Sequence, residues 1–519
     1  MIDVTFISPN SAKKSYQSLS IKHSAIEPPT WALLLAESCR SVGFKVGIID
    51  MLAEDLSDEA LVERINLIKP RLICFVVYGQ NVNAGTTNMS SVVSTCTFLK
   101  NNKIEIPISI IGSHVQALPK ATLEKEKCID FVFMNEGVYA LRNVLKLDKI
   151  NETNLYSIKG ICFRNKENNI IINQNETIVP KEKMDKDLPG YAWDLLPYDQ
   201  KPLDLYRSPL WHAGYVDENR TPYAAIQTSL GCQFKCSFCM INLINKTNND
   251  ELGVANEYSS MRFWTPEFVI KQFDKLIKLG VKTIKITDEM FLLNPKYYLP
   301  LCDYLAERNK DDKLNFWAYS RIDTVKDKSI LNKVRRAGIR WLCLGIESGS
   351  KSIRLEVSKG KFEDVKIDEV VKHIESCDIN VMANYIYGLP GDTKDTINDT
   401  FELSKKLNTA GWNTYAAMAL PGSELYKNSL SNNCELPKKY EEFSFLGYET
   451  LPLSNENLHG AEILQLRDKH FKEYFENKNF LEKIKSKFGE NAVKNIKDMC
   501  KLNLKRKIIE ELEKKNYLR

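Results

Sequence analysis

The chain has 519 residues, 43% hydrophobic and 27% charged, a globular composition that excludes a disordered, collagen-like or coiled-coil protein. Lys and Arg number 72 against 67 Asp and Glu, so the net charge of +5 gives no basic coat and argues against nucleic acid as partner. No apolar run reaches the roughly 18–20 residues of a membrane helix. Met1 to Tyr16 lacks a positive segment leading into an apolar stretch, so a cytoplasmic protein without membrane attachment is expected.

Taken in chain order, residues 1–150 read as an α/β domain. Strands are predicted at Val4–Ile7, Lys45–Asp50, Leu72–Tyr78, Ile108–Gly112 and Phe131–Met134, with an apolar helix over Trp31–Ser41 that stops at Gly43. This is a Rossmann-like, doubly wound pattern, in which ligands sit outside the carboxyl ends of the strands. No G-x-G-x-x-G is present, which excludes the nicotinamide or flavin dinucleotide fingerprint. Residues 151–220 read as a hairpin around Asn165–Asn169 followed by a proline-rich linker.

From 221 to 429, strand and helix patterns alternate six times. The strands are Ala224–Ser229, Lys282–Thr287, Leu314–Ser320, Arg340–Ile346, Asn380–Ile386 and Trp412–Ala419. Helices fill the gaps at Pro266–Leu279, Pro295–Arg308, Lys326–Ala337, Asp364–Ser376 and Lys394–Ala410. Such alternation implies a parallel sheet with right-handed crossovers. Sites in parallel barrels gather at the C-terminal strand ends, and polar residues fall there: Asp288 and Glu289, Ser320 and Arg321, Glu347, and the turn at Gly388. Arg321 and Asp323 also read as a structural ion pair. Residues 430–519 lack this alternation and read as helical, at Ala461–Phe475 and Phe480–Phe488. From Leu481 onward there are 12 Lys or Arg against 6 Asp or Glu, read as a solvated helical face.

Ten of the 13 cysteines are isolated, several within apolar runs, and behave as small hydrophobes. Cys232, Cys236 and Cys239 are different. Their C-x3-C-x2-C spacing brings three soft thiolate ligands to one centre if the chain curls, and Gly231 supplies the freedom to curl. A structural zinc site wants a fourth protein ligand, and no Cys or His stands nearby to give one. Three ligands suggest a 4Fe–4S cluster with one open iron.

The pattern C-x3-C-x-aromatic-C, with Phe238 in the aromatic position, resembles the signature of the radical S-adenosylmethionine (SAM) superfamily. The run Pro28–Ala36, the segment Gly112-Ser113-His114 with Pro119, and Asp130 to Glu136-Gly137 resemble the cobalamin (B12)-binding domain that precedes many radical SAM barrels, as in the class B methyltransferases. The resemblance implies a Rossmann-like cobalamin-binding domain, a partial (β/α)6 barrel and a helical C-terminal domain. It implies that Cys232, Cys236 and Cys239 hold the cluster. SAM would fall to Phe238, to Asp288 and Glu289 at its amino group, to Ser320 and Arg321, to Glu347 at the ribose, and to Ile386 and Gly388 beside the adenine. Cobalamin would fall to Pro29, Tyr78, Gln80, Gly112, Ser113, His114, Glu136 and Gly137. The D-x-H-x-x-G motif that gives cobalt a histidine is absent, so neither His23 nor His114 is assigned that role. The implied activity is reductive cleavage of SAM to a 5′-deoxyadenosyl radical and methylation of an unactivated carbon of a small molecule. A one-electron donor such as flavodoxin or ferredoxin would serve it, and no side chain is assigned as general acid or base. Cyclisation, rearrangement or oxidation with the same cofactors, and a barrel with an empty cobalamin domain, are the alternatives. A methylthiotransferase would call for a second cysteine set in the N-terminal domain, which is missing.

Overall fold

Two sheets, one mixed and one parallel, organise the chain, seen in a computed structural model that describes residues 1–78, 82–198, 203–208, 222–325, 327–358 and 365–514. The first sheet holds β1 (Val4–Ser8), β2 (Val46–Asp50), β3 (Leu72–Val77), β4 (Ile108–Gly112), β5 (Phe131–Phe133), β6 (Ile161–Arg164) and β7 (Ile170–Ile172), in the order β2-β1-β3-β4-β5-β6-β7. Its first five strands are parallel. Every residue of β3 is buried, as a strand covered on both faces requires. The order 2-1-3-4-5 places the topological switch point between β1 and β3, where a doubly wound sheet opens a ligand crevice. The hairpin read at the start of the linker is β6 and β7. It joins this sheet, Phe163 pairing antiparallel with Phe131, and so covers what would be the open edge of β5.

The second sheet begins with β8 (Tyr223–Ile226). An antiparallel ribbon of β9 (Ser229–Cys232) and β10 (Ser260–Phe263) follows. The barrel then continues with β11 (Thr283–Ile286), β12 (Asn315–Arg321), β13 (Ile339–Glu347), β14 (Asn380–Tyr387) and β15 (Gly411–Ala416). The six barrel strands are all parallel and lie in sequence order, β8-β11-β12-β13-β14-β15, a partial (β/α)6 barrel. The single predicted strand Ala224–Ser229 is thus two elements. The chain leaves the sheet after Ile226 because Asp288, just past β11, captures the Thr228 N–H (2.6 Å), the Thr228 hydroxyl (2.7 Å) and the Ser229 hydroxyl (2.5 Å).

The N-terminal domain is fastened to the barrel by buried charge. Arg262 on β10 pairs with Glu136 at 2.7 Å and donates to Val179 O at 2.9 Å, while Val179 N donates to Glu136 Oε1 at 2.5 Å. Lys285 on β11 pairs with Glu27 at 2.8 Å. One apolar core runs through both sheets, and a second, with Ile73, Phe75 and Val77 of β3, belongs to the first sheet. C-terminal helices Gly460–Phe475, Lys478–Phe488 and Glu490–Cys500 close the side beyond β15, where Trp412 stacks on Tyr474 with ring centres 5.4 Å apart. The basic tail is not wholly a solvated face. Arg506 is buried, where it pairs with Asp468 at 2.8 Å and donates to Gly447 O at 2.9 Å.

Candidate functional site

The cysteine loop is built by β9 and pinned on three sides. Gly231 has φ +84°, and a Cβ there would run into Asn245 Nδ2 and Ser260 O, so the curl expected at this position needs glycine. Cys232 N donates to Asn242 Oδ1 at 2.8 Å. Ser237 N donates to Val357 O at 3.0 Å, and Leu425 N donates to Ser237 O at 2.8 Å. Cys232, Cys236 and Cys239, with Phe234 and Phe238, form part of the wall of a cavity of about 790 Å³. Burial pushes the thiol of Cys232 up to about 11 and that of Cys236 to about 12, and Cys239 rises well above the ordinary thiol value for the same reason. These groups stay protonated until a metal displaces the proton. Among the described residues, no set of three or more His, Cys, Asp or Glu is gathered as a single metal ion requires. The three thiols line one wall, an arrangement suited to a polynuclear group whose irons each take one thiolate.

The strand ends bring Glu289, Ser320, Arg321, Glu347 and Ile386 to the same cavity. Burial lifts Glu289 and Glu347 to about 7. Glu347 sits in the left-handed region, at φ +66°, beside a break in the β13–β14 register. Arg321 is paired with Asp323 at 2.5 Å and lies 3.7 Å over the ring of Phe234, so it is both an ion-pair residue and part of the wall. The Ser320 and Thr324 hydroxyls are 2.8 Å apart.

Asp288 and Gly388 lie off the cavity. Asp288 is 2% exposed and spends its carboxylate on Thr228 and Ser229. Gly388 has φ +80°, and a Cβ there would collide with Ile463 of helix Gly460–Phe475. Gly388→Ala is therefore expected to cost about 2 kcal/mol, from the left-handed backbone and the displaced Ile463. Chemical denaturation checks this, and Gly388→Ala combined with Ile463→Val should recover part of the loss.

On the N-terminal side, Pro29 and Tyr78 reach the cavity. Tyr78 Oη accepts from Gln116 Nε2 at 2.6 Å and meets Trp31 edge-on at 5.7 Å. Gln80 lies outside the described residues. Gly112, Ser113, His114, Glu136 and Gly137 stand behind this wall. His114 is 6% exposed, with Nδ1 3.2 Å from Thr86 Oγ1 and its ring edge-on to Tyr440, and burial lowers its pKa to about 3. Glu136 serves the tether to Arg262 and Val179. Sequence reasoning missed Ser8, Pro9, Trp31, Asn83 and Thr87, which also line the cavity. Ser8, Pro9 and Tyr78 mark the carboxyl ends of β1 and β3, so the crevice at the switch point and the cysteine loop open into the same space. Also missed was an inner tier within the barrel, where Lys285, Tyr319, Cys343, Asn384, Asn413 and Tyr415 face the lumen.

Comparison with known proteins agrees with this architecture. Residues 226–404 match the radical SAM superfamily, and residues 19–145 match the B12 binding domain. The chain thus carries a B12-binding domain at residues 19–145 ahead of a radical SAM domain at residues 226–404. The cofactors that go with these two domains are a 4Fe–4S cluster, SAM and cobalamin. Over 419 residues, 80% of this chain and 82% of the other, it is 26% identical to an uncharacterized methyltransferase of Pyrococcus horikoshii. Over 497 residues, 92% of this chain and 78% of the other, it is 23% identical to the anaerobic magnesium-protoporphyrin IX monomethyl ester cyclase of Rubrivivax gelatinosus. Two solved structures share the fold. One is the cobalamin-dependent SAM radical enzyme OxsB, with TM-score 0.64 and 14% identity, covering 96% of this chain and 71% of that one. The other is the radical SAM methyltransferase TsrM from Kitasatospora setae, with TM-score 0.60 and 16% identity, covering 83% and 75%. No helix among the described residues is long and apolar enough to cross a membrane.

Proposed function

We propose that this protein methylates an unactivated carbon of a small-molecule substrate, using a cluster-bound SAM and a cobalamin held on the N-terminal domain. The observation that carries this reading is the single cavity. The three cysteines stand on one wall, and the carboxyl ends of β1 and β3, with Pro29, Trp31 and Tyr78, stand on another. When bound, the cofactors supply the electron transfer, radical and methyl-carrier chemistry that no side chain provides. The chain's own groups bind and shield. Cys232, Cys236 and Cys239 hold the cluster, with Phe238 packed on the loop against Val357, Leu389 and Ala417. Glu289 and Glu347 present carboxylates suited to the ammonium and ribose hydroxyls of SAM, and Ser320, Arg321 and Ile386 complete that end. Pro29, Trp31 and Tyr78 offer an apolar face to cobalamin and exclude water. A one-electron donor protein such as flavodoxin or ferredoxin serves the cluster.

A second reading, cyclisation with the same cofactors, is favoured by the 23% identity to a named cyclase over 92% of the chain. The products of SAM separate the two. Methyl donation leaves S-adenosylhomocysteine, whereas radical generation leaves 5′-deoxyadenosine and methionine. With anaerobically reconstituted enzyme, added cobalamin and a small-molecule extract of the native cells, both nucleosides are expected in about equal amounts per turnover. Formation of 5′-deoxyadenosine alone selects the cyclase reading, and formation of neither removes both.

A further inference from the structure

The lumen beneath the strand ends is polar where a closed barrel would be packed with branched aliphatic side chains. Asn384 and Asn413 are register partners on β14 and β15, two residues, about 7 Å, below Ile386 and Tyr415. Asn413 Nδ2 donates to Asn384 Oδ1 at 3.2 Å, and Asn384 Nδ2 donates to Cys343 Sγ and Leu344 O, both at 3.3 Å. Among the described residues, nothing donates to Asn413 Oδ1, and the hydroxyls of Tyr319 and Tyr415 have no hydrogen-bond partner. All three residues are part-exposed positions on otherwise buried strands, and what exposes them is the cavity. Polar groups held away from bulk water cost free energy until something bonds to them.

The cations of the lumen are already engaged, Lys472 by Asn503 Oδ1 and the others by carboxylates. Lys285 is paired with Glu27, and Arg467 with Asp468 at 2.8 Å, which also holds Arg506. Lys469, at the rim, is 66% exposed and stands in solvent. The C-terminal region adds an apolar strip to the lining, Phe471 and Phe475 of helix Gly460–Phe475 with Met499, beside Lys472 and Asn503.

We infer that this lower lumen is the substrate subsite and that it takes an uncharged, amphipathic molecule. An amide or hydroxyl head bonds to Asn413, Tyr319 and Tyr415, and an apolar body lies against Phe471, Phe475 and Met499. The inference rests on the functional reading above and adds the chemical class of its substrate. A carboxylate or phosphate head could draw on the phenols but would surrender its hydration with Lys285, Arg321 and Arg467 already ion-paired and Lys472 held by Asn503.

Octanamide and octanoate are matched probes, alike in length and differing in head charge. Titration calorimetry on the anaerobic holoenzyme at pH 8 is expected to show octanamide binding at least about tenfold tighter than octanoate. Asn413→Leu and the milder Tyr415→Phe should each weaken octanamide at least about fivefold. Iron content and the visible spectrum of each variant show that the site is assembled. Octanoate binding as well as octanamide, binding of neither probe, or octanamide binding indifferent to both substitutions overturns the inference. Production of 5′-deoxyadenosine by the same wild-type preparation is scored separately. If it forms and the probe pattern fails, the functional reading stands and the substrate class falls. If it does not form, the functional reading itself fails.

Discussion

Cys236→Ala is expected to reduce iron from about four per chain to less than about one and to abolish 5′-deoxyadenosine formation, a loss of at least about 10³-fold. Cys343→Ala, a change at another cysteine of the same cavity, is expected to retain both. The contrast follows from position. Cys236 sits in a loop pinned by Ser237 to Val357 and Leu425 and by Cys232 to Asn242, so its thiol is presented from a fixed backbone together with two others. Cys343 lies within β13, 2% exposed, and its Sγ accepts from Asn384. No neighbour can replace Cys236, because the other cysteines of the described chain belong to the two cores or lie remote from the cavity wall. Iron assay after anaerobic reconstitution and chromatography of the nucleoside products read the result. Full iron and undiminished cleavage in Cys236→Ala would remove the cluster assignment.

The cluster loop was legible because its information is local. Three thiols within eight residues and a glycine before the first are a pattern that needs no knowledge of the remote chain, and Gly231 at φ +84° meets that expectation. The alternating strands and helices were legible for the same reason, and the helix Pro295–Arg308 begins and ends where its periodicity does. What sequence could not show is pairing across long separations. The β9–β10 ribbon is two four-residue strands joined across almost thirty residues, and β9 reads as a continuation of β8 until Asp288, 60 residues on, is seen to hold Thr228. Gly112, Ser113, His114, Glu136 and Gly137 are singled out by their resemblance to the cobalamin-binding domain, yet a shared pattern does not separate a ligand wall from the packed layer behind it. The inner tier was hidden by its own periodicity. Asn384 and Asn413 stand on alternate positions next to buried neighbours just as solvent-facing residues do, and only the curvature of the six-stranded sheet turns that face into a lumen.

Asp288→Ala is expected to destabilise the protein by about 3–6 kcal/mol and to lower cluster occupancy, because it orphans three buried donors at about 1–2 kcal/mol each. Thr228 and Ser229 are the residues through which β8 hands the chain to β9, and β9 ends at Cys232. Losing their common acceptor frees the segment that positions the first cluster ligand. Burial lifts Asp288 to about 6 against the pull of these hydrogen bonds. A carboxyl raised on folding contributes stability fully below its unfolded value, and that contribution is lost as pH rises through about 6. The wild type's margin over Asp288→Asn should therefore narrow across that window. Glu289→Gln is the matched control. Its carboxylate lines the cavity, so it should weaken SAM binding about tenfold while leaving iron content and the denaturation midpoint near wild type. The family resemblance implies that Asp288 also touches SAM, whereas the geometry spends its carboxylate on Thr228 and Ser229. An Asp288→Asn variant that kept full stability and iron but lost SAM affinity would return it to the binding surface and leave the loop to be held by its other anchors, Asn242, Val357 and Leu425.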